Sequence, residues 1–229
     1  YRSQPDDVLF ELLNEPHDKL NPEFWNDLLA EAIGVIRQSN PLRTIIVGSA
    51  KWSSIEGLPE LRLPEEDRNL IVTVHYYQPH EFTHQGASWT WKPYPRGRKW
   101  PASAGEPAQV IEDLSRAACW ASEHRRPLFL GEYGAIKLAN NESRVRWTRQ
   151  VSTEADRLGI SRAYWLFSDG AFAVYDPRKD SWNEPLLKAI LGKDPPTAAP
   201  GTSSGGAAAG QNNARQTRSG PAGERFGAK

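Results

Sequence analysis

The stretch Val8-Leu9-Phe10-Glu11-Leu12-Leu13-Asn14-Glu15-Pro16-His17 is a mostly apolar run that ends in a polar Asn-Glu-Pro turn. Two further runs, at 44–48 and 70–76, are rich in isoleucine and valine. Near-continuous apolar runs of this length are typical of strands that are covered on both faces of a sheet. The sequence therefore predicts buried strands at 8–13, 44–48 and 70–76.

Helices alternate with these strands along the chain. Asn21-Pro22 is a helix start signal, and apolar residues follow it at helical spacing as far as Ser39. The same patterns predict further strands at 128–131 and 162–167, and further helices at 106–124, 143–157 and 184–191. Five strands interleaved with helices favour a parallel α/β sheet. Five βα units cannot close an eight-stranded barrel, so periodicity alone leaves an open sheet or a truncated barrel.

The composition excludes several classes of protein. The formal net charge is +0, which gives no electrostatic reason to expect nucleic acid or an acidic membrane surface as a partner. The single cysteine, Cys119, rules out an internal disulfide framework, and we expect its thiol to be buried in a helix. No run approaches the roughly 18 consecutive apolar residues of a membrane span. The chain has no methionine, so we expect that Tyr1 is not where the gene product begins.

The last 36 residues differ sharply from the rest. Residues 194–229 include 19 Gly, Pro or Ala residues, and Phe226 is their one large apolar side chain. Such a segment cannot bury enough apolar surface to offset the entropy lost on ordering. We predict one folded domain over 1–193 and a disordered tail or linker over 194–229.

Polar residues follow several of the predicted strands. Glu15 and Glu132 each come at the end of a strand, and the carboxyl ends of parallel strands meet at one edge of the sheet. Two facing carboxylates are what glycoside hydrolysis requires, since one protonates the leaving oxygen while the other attacks the anomeric carbon or activates water. From spacing alone, either glutamate could instead cap a helix or pair with an arginine.

Four motifs carry a resemblance to a known family. The segments 10–17, 74–77, 127–134 and 163–165 resemble, in order and separation, four strands of family 5 glycoside hydrolases, which include many endoglucanases. The resemblance implies a (β/α)₈ barrel truncated at its N-terminus, with strands four to eight present. It also implies retention of anomeric configuration, internal β-1,4 cleavage of cellulose or another β-glucan, and no cofactor or metal.

The resemblance implies a role for each site residue. Glu15 would be the acid/base and Glu132 the nucleophile, with carboxyl groups about 5–5.5 Å apart. Asn14 would hydrogen-bond the sugar 2-hydroxyl. Hydrogen-bond donors around Glu132 would keep it ionised, whereas Glu15 would need a raised pKa.

Three more residues would line the subsite of the reacting sugar. His75 and Tyr77 would flank that sugar, with Tyr77 bonding the nucleophile, and Trp165 would be the floor on which the sugar stacks. The chain departs from the family in two ways. The arginine and histidine of the early strands are absent from this sequence, and Leu166 stands where many relatives carry an acidic residue.

Two segments allow other interpretations. His80-Glu81-Phe82-Thr83-His84 matches the zinc-protease pattern H-E-x-x-H, but Pro79 and Gly86 leave too little helix for it. The loop 88–101 holds Trp89 and Trp91, which could stack on sugars or simply pack the loop, while nucleobase stacking is the weakest reading. Three other tryptophans, Trp25, Trp120 and Trp147, lie on predicted helix faces, and we expect them to pack in the core or between helices.

Taken with the resemblance, the sequence predicts a retaining endo-β-1,4-glycanase that acts on a β-glucan and is a monomer when full length. The alternatives are a non-catalytic sugar-binding barrel fragment and a β-mannanase of the same fold. Secretion follows only from the resemblance, because polysaccharides are met outside the cell. No nucleic acid and no membrane are expected as partners.

Overall fold

The computed structural model describes residues 1–192, so the predicted tail at 194–229 lies outside the described residues. Strands and helices alternate over most of this range. The strands are β1 (Phe10–Leu12), β2 (Ile45–Gly48), β3 (Leu70–Tyr76), β4 (Leu128–Tyr133), β5 (Ser161–Arg162), β6 (Tyr175–Asp176) and β7 (Ser181–Trp182). The helices are α1 (Pro22–Ser39), α2 (His80–Thr83), α3 (Gly105–Glu123), α4 (Asn141–Arg157) and α5 (Glu184–Leu191), with a 3₁₀ helix at Ile55–Glu60.

The predicted parallel sheet is confirmed. Strands β1 to β5 pair in chain order, each parallel to the next. Ile45, Val47, Leu70, Val72 and Val74 have no exposed surface, as expected for strands covered on both faces. A separate two-stranded antiparallel sheet is formed by β6 and β7.

The helix starts follow the capping signals of the sequence. The Asn21 side chain accepts a hydrogen bond from the backbone N–H of Phe24, and Pro22 occupies the first turn of α1. The indole of Trp25 then donates to the backbone oxygen of Gly48 at 2.8 Å, which ties α1 to β2. The predicted packing roles of Trp25, Trp120 and Trp147 are confirmed, since their exposed fractions are 2%, 9% and 0%.

Two expectations about local structure are wrong. Cys119 is exposed, because it faces away from the sheet on α3, where its thiol donates to Glu123. The predicted strand at 162–167 pairs as a strand only over Ser161–Arg162. Beyond it, the backbone N–H groups of Ala163 and Trp165 still donate to the carbonyls of Leu130 and Tyr133, whereas the carbonyl of Phe167 accepts from the backbone N–H of Tyr175 in β6.

An irregularity in the β3–β4 pairing centres on Gly131. Val74 pairs with Leu130 and His75 with Glu132, so Gly131 is skipped. A Cβ at Gly131 would lie 2.3 Å from Oγ1 of Thr73, closer than any real contact. Glycine is therefore required here by close approach, and the bulge sets Glu132 opposite His75.

Alanine at Gly131 is expected to destabilise the fold by about 1–3 kcal/mol, because the buried Thr73 side chain or one of the two strands must shift to admit the methyl group. Gly34 is the matched control, since it lies in α1 and nothing stands within 4 Å of an added Cβ. Gly34→Ala is expected to stabilise by about 0.5–1 kcal/mol. Urea unfolding of both variants measures the difference, and equal free energies of unfolding would contradict the bulge argument.

No helix within residues 1–192 is both long enough and apolar enough to cross a lipid bilayer.

Candidate active site

Glu15 lies just beyond β1 in a turn of unusual backbone conformation. Leu13 and Glu15 have positive φ angles of 40° and 49°, a region that non-glycine residues adopt at a cost and that is enriched at functional sites. The turn leaves the Glu15 side chain 27% exposed, and Nδ1–H of His75 donates to its Oε1 at 2.8 Å. Asn14 is exposed beside Glu15 at the same strand end.

Glu132 stands near the end of β4 and is more deeply buried. Its side chain is 13% exposed. The hydroxyl of Tyr77 donates to its Oε2 at 2.8 Å, and Nδ1 of His75 lies 3.5 Å from the same oxygen. One oxygen from Glu15, one from Glu132 and the His75 nitrogen all lie within 4.8 Å of one another. The structure thus brings four predicted site residues, Glu15, His75, Tyr77 and Glu132, into a single network.

The electrostatics of this network differ from the expectation that donors dominate at Glu132. Burial raises the pKa of Glu132 above its ordinary value, and the nearby His75 and the Tyr77 hydrogen bond only partly offset that effect. Burial and the Glu132 charge also raise the pKa of Tyr77 strongly. Tyr77 therefore stays a neutral phenol that donates its proton to the carboxylate.

Three members of this network, Glu15, His75 and Glu132, form a candidate metal cluster in the part of the chain that the structure describes. Glu15, His75 and Glu132 each offer one ligand atom. Nδ1 of His75 lies 2.8 Å from Oε1 of Glu15, a hydrogen-bond distance that requires a proton between the two atoms. That hydrogen bond and the binding of a metal ion through Nδ1 therefore exclude each other.

The aromatic residues of the loop 88–101 divide into two groups. Tyr94 and Trp100 are buried and pack the loop, whereas Trp89 and Trp91 are 58% and 86% exposed. The Trp89 ring lies 6.4 Å from Phe172, whose ring lies 5.8 Å from that of Tyr77. Trp89 is thus linked to the carboxylate network.

Trp91 has different surroundings from Trp89. The Nζ atom of Lys92 lies 5.0 Å from its ring, and this cation–π contact does not connect Trp91 to the carboxylates. Trp165, 45% exposed, follows β5, and its backbone N–H donates to the carbonyl of Tyr133. The Trp165 backbone is therefore held beside Tyr133, the residue that follows Glu132.

The H-E-x-x-H segment forms one short helical turn beside Tyr77. Helix α2 has four residues, too few for the zinc-protease arrangement. The rings of His80 and His84 stack at 4.9 Å, and the Tyr77 ring meets the edge of the His84 ring at 5.1 Å. Burial lowers the pKa of His84 to about 4. Both histidines thus belong to the aromatic surround of Tyr77.

The sequence reasoning missed Trp52, which follows β2. Trp52 is 51% exposed, its ring stacks on that of His17 at 4.9 Å and 11°, and its backbone N–H donates to the carbonyl of Pro16. Lys51, Trp52 and Ser53 all have positive φ angles of 52–63°. The signal was available in the sequence, because an aromatic residue soon after a predicted parallel strand lies at the same edge as Glu15.

A parallel βα sheet with paired carboxylates and exposed tryptophans at the carboxyl ends of its strands is the arrangement used by β/α-barrel glycoside hydrolases. Comparison with known proteins agrees. Residues 1–171 match the family model described as Cellulase (glycosyl hydrolase family 5). The chain therefore belongs to glycosyl hydrolase family 5, and its fold is of the (β/α)₈-barrel type, with five parallel strands in the described residues.

Two curated relatives illustrate the similarity. Endoglucanase H of Acetivibrio thermocellus is 27% identical over 199 residues, which cover 83% of this chain and 20% of that protein. Cellodextrinase A of Ruminococcus flavefaciens is 34% identical over 163 residues, which cover 71% of this chain and 48% of that protein. The chain thus spans less than half the length of these two relatives.

A solved structure extends the comparison. The endoglucanase Cel5A of Thermotoga maritima is 43% identical and superposes with a TM-score of 0.79 over 83% of this chain and 61% of that one. Structures of Cel5A have been described with cellobiose and with mannotriose.

The half-buried His84 gives the protein a pH-dependent stability. Its pKa of about 4 in the folded state lies below the value of about 6.5 for an unfolded histidine. The unfolded chain therefore binds the extra proton first, and the contribution of His84 to stability falls as pH falls from about 6.5 toward 4. Unfolding free energies measured across this window are expected to fall more steeply for the natural chain than for His84→Gln. Parallel curves for the two proteins would refute this assignment.

Proposed function

We propose that the protein is an endo-acting glycoside hydrolase that cleaves β-1,4 bonds of a glucan with retention of anomeric configuration. The observation that carries the proposal is the separation of at most 4.8 Å between one oxygen of Glu15 and one of Glu132. Retaining enzymes hold their carboxyl groups about 5–5.5 Å apart, whereas inverting enzymes need about 6.5–9.5 Å to admit a water molecule. The short separation supports double displacement.

The two carboxyl groups divide the chemistry between them. Glu15, the more exposed of the two, protonates the glycosidic oxygen while Glu132 attacks the anomeric carbon, which gives a covalent glycosyl-enzyme. Glu15 then removes a proton from water, the water oxygen attacks the anomeric carbon, and the bond to Glu132 breaks. Both carboxyl groups end in their starting protonation states.

His75 and Tyr77 position the nucleophile for this reaction. Tyr77 donates to one oxygen of Glu132, which leaves the other oxygen for attack and restrains the rotation of the carboxylate. His75 lies between the two glutamates and donates to Glu15. The partial positive charge of its N–H group reduces the repulsion between the two carboxyl groups. Asn14, exposed beside Glu15, is proposed to bond the sugar 2-hydroxyl.

The exposed tryptophans support a carbohydrate substrate. Trp165, Trp52 and Trp89 are exposed, and aromatic faces of this kind stack on the apolar faces of pyranose rings while side-chain donors bond the hydroxyls. Trp91 is proposed to contact the polymer further from the reacting bond. The family relationship favours β-glucan, and mannan is the comparison substrate because Cel5A also binds mannotriose. An extracellular location and a monomeric state remain predictions.

Hydrolysis of carboxymethyl-cellulose tests the activity, and two variants separate the roles of the glutamates. Glu132→Gln is expected to lower the rate by more than about 10³-fold on every substrate, since no other group can form the covalent intermediate. Glu15→Gln is expected to be similarly impaired on cellulose. With a dinitrophenyl cellobioside, whose leaving group needs no proton, Glu15→Gln should still form the glycosyl-enzyme rapidly.

The stereochemistry and the controls make the test decisive. Proton NMR of the first product is expected to show the β anomer, and an α anomer would exclude retention. Activity retained by Glu132→Gln would remove Glu132 as the nucleophile. No hydrolysis by the natural chain of glucan or mannan, with binding retained, would favour the non-catalytic alternative. Hydrolysis is also expected to persist in excess EDTA, and its loss would point to a metal at Glu15, His75 and Glu132.

A further inference from the structure

Tyr77 lies one residue beyond the end of β3, and its hydroxyl reaches Glu132 on the neighbouring strand. The β3–β4 pairing ends with Tyr76 opposite Tyr133, one residue before Tyr77. The Tyr77 hydroxyl nevertheless lies 2.8 Å from Oε2 of Glu132. A hydrogen bond of that length depends on where the backbone of Tyr77 is held, so contacts other than the strand pairing fix its position.

Thr83 provides such a contact from the end of α2. Thr83 has no exposed surface, and its hydroxyl donates to the carbonyl oxygen of Tyr77 at 2.6 Å. The carbonyl of Pro79, 3.5 Å from the same hydroxyl, is a weaker acceptor. Oγ1 also lies 3.0 Å from Nδ1 of His84, and this nitrogen supplies the proton of that bond because the hydroxyl proton is directed at Tyr77. The Thr83 hydroxyl is therefore fixed in one orientation.

The backbone of Thr83 is bonded to the neighbouring strand end. Its carbonyl oxygen accepts from the backbone N–H of Ile136 at 2.9 Å, and Ile136 lies four residues after Glu132 in the loop that follows β4. The side chain of Thr83 thus holds the segment with the hydroxyl donor, while its main chain holds the segment with the acceptor. One buried residue joins the two strand ends beyond the point where their pairing stops.

The residues around Thr83 are themselves anchored. Phe82 and Gln85 have no exposed surface. The Gln85 side-chain amide donates to the carbonyls of Phe82 and Arg98, and its oxygen accepts from the backbone N–H of Gly97. These contacts hold Thr83 in place independently of Tyr77.

We propose that Thr83 is a positioning residue, which holds the Tyr77 hydroxyl at hydrogen-bond distance from Glu132. The inference rests on the proposed function, because the position of Glu132 affects catalysis only if Glu132 is the nucleophile. Thr83 acts through Tyr77 and not on the substrate. Without the Thr83 hydroxyl, the Tyr77 carbonyl loses this buried partner, and a shift of the Tyr77 backbone lengthens the bond to Glu132.

The charge state of Glu132 is a measure of this position. The groups that act on its carboxyl are His75 and Tyr77 from β3 and the residue after it, and Glu11 and Glu15 from β1 and the turn beyond it. The Tyr77 hydrogen bond lowers the pKa of Glu132. A longer bond therefore raises that pKa, and the ionised nucleophile is lost at a higher pH.

The test removes the hydroxyl with Thr83→Val, which keeps the side-chain shape, in the full 229-residue chain. Carbon-13 NMR titration of the glutamate carboxyl groups, with Glu132→Gln to identify the signal, measures the pKa of Glu132. Hydrolysis of dinitrophenyl cellobioside across pH gives kcat and KM. Thr83→Val is expected to raise the pKa of Glu132, to move the acid limb of the pH profile to higher pH, and to lower kcat about tenfold with KM little changed.

Three further variants separate positioning from general stability. Thr83→Ser keeps the hydroxyl and is expected to retain the natural pKa of Glu132 and most of kcat. Thr148→Val is the matched control, since Thr148 is equally buried and its hydroxyl has no hydrogen-bond partner among the described residues, and it is expected to change neither quantity. In a Tyr77→Phe background, Thr83→Val is expected to add little, because the hydroxyl that Thr83 positions is already absent.

Each outcome bears on one proposal or on both. An unchanged pKa of Glu132 and an unchanged rate in Thr83→Val overturn the positioning role and leave the hydrolase intact. An equal loss of rate in the natural and Tyr77→Phe backgrounds, or failure of Thr83→Val to fold, assigns Thr83 a structural role only and also overturns it. A raised pKa in Thr83→Val but not in Thr83→Ser, in a chain that hydrolyses no glycoside, supports the positioning role and refutes the hydrolase. Absence of both the pKa change and hydrolysis refutes both.

Discussion

The pairing of β3 with β4 is the constraint on which the candidate site depends. In a regular parallel ladder, His75 would pair with Gly131 and Tyr76 would pair with Glu132. The skipped glycine moves Glu132 opposite His75, and only a residue without a Cβ permits so close an approach to Thr73. A local irregularity between two buried strands thus fixes the position of the proposed nucleophile.

Burial and polar contacts have opposite effects on the pKa of Glu132. Glu132 is drawn out of water, which raises its pKa, while Tyr77 and His75 stabilise its charged form. Glu15 shares the same histidine but is more exposed. The two carboxyl groups therefore differ in their surroundings while they share one hydrogen-bond donor.

Most of the architecture could be predicted from the sequence. The predicted bounds of α1, β3 and α5 agree with the observed bounds. They could be predicted because capping residues and continuous apolar runs are local signals. The β6–β7 hairpin was not predicted, since each of its strands has two residues and too short a pattern to recognise. Cys119 was misplaced because an apolar neighbourhood in sequence does not specify which side of a helix faces the core.

The sequence by itself determined the order of the strands and helices. It also determined the class of site, because the strand-end motifs contain Glu15, His75, Tyr77, Glu132 and Trp165. Those properties depend on residue type and spacing along the chain. The tertiary structure decided how closely the two glutamates approach, that burial outweighs the donors at Glu132, and that Trp52 and the hairpin aromatics face solvent. These depend on strand register and on contacts between residues distant in sequence, which local patterns do not encode.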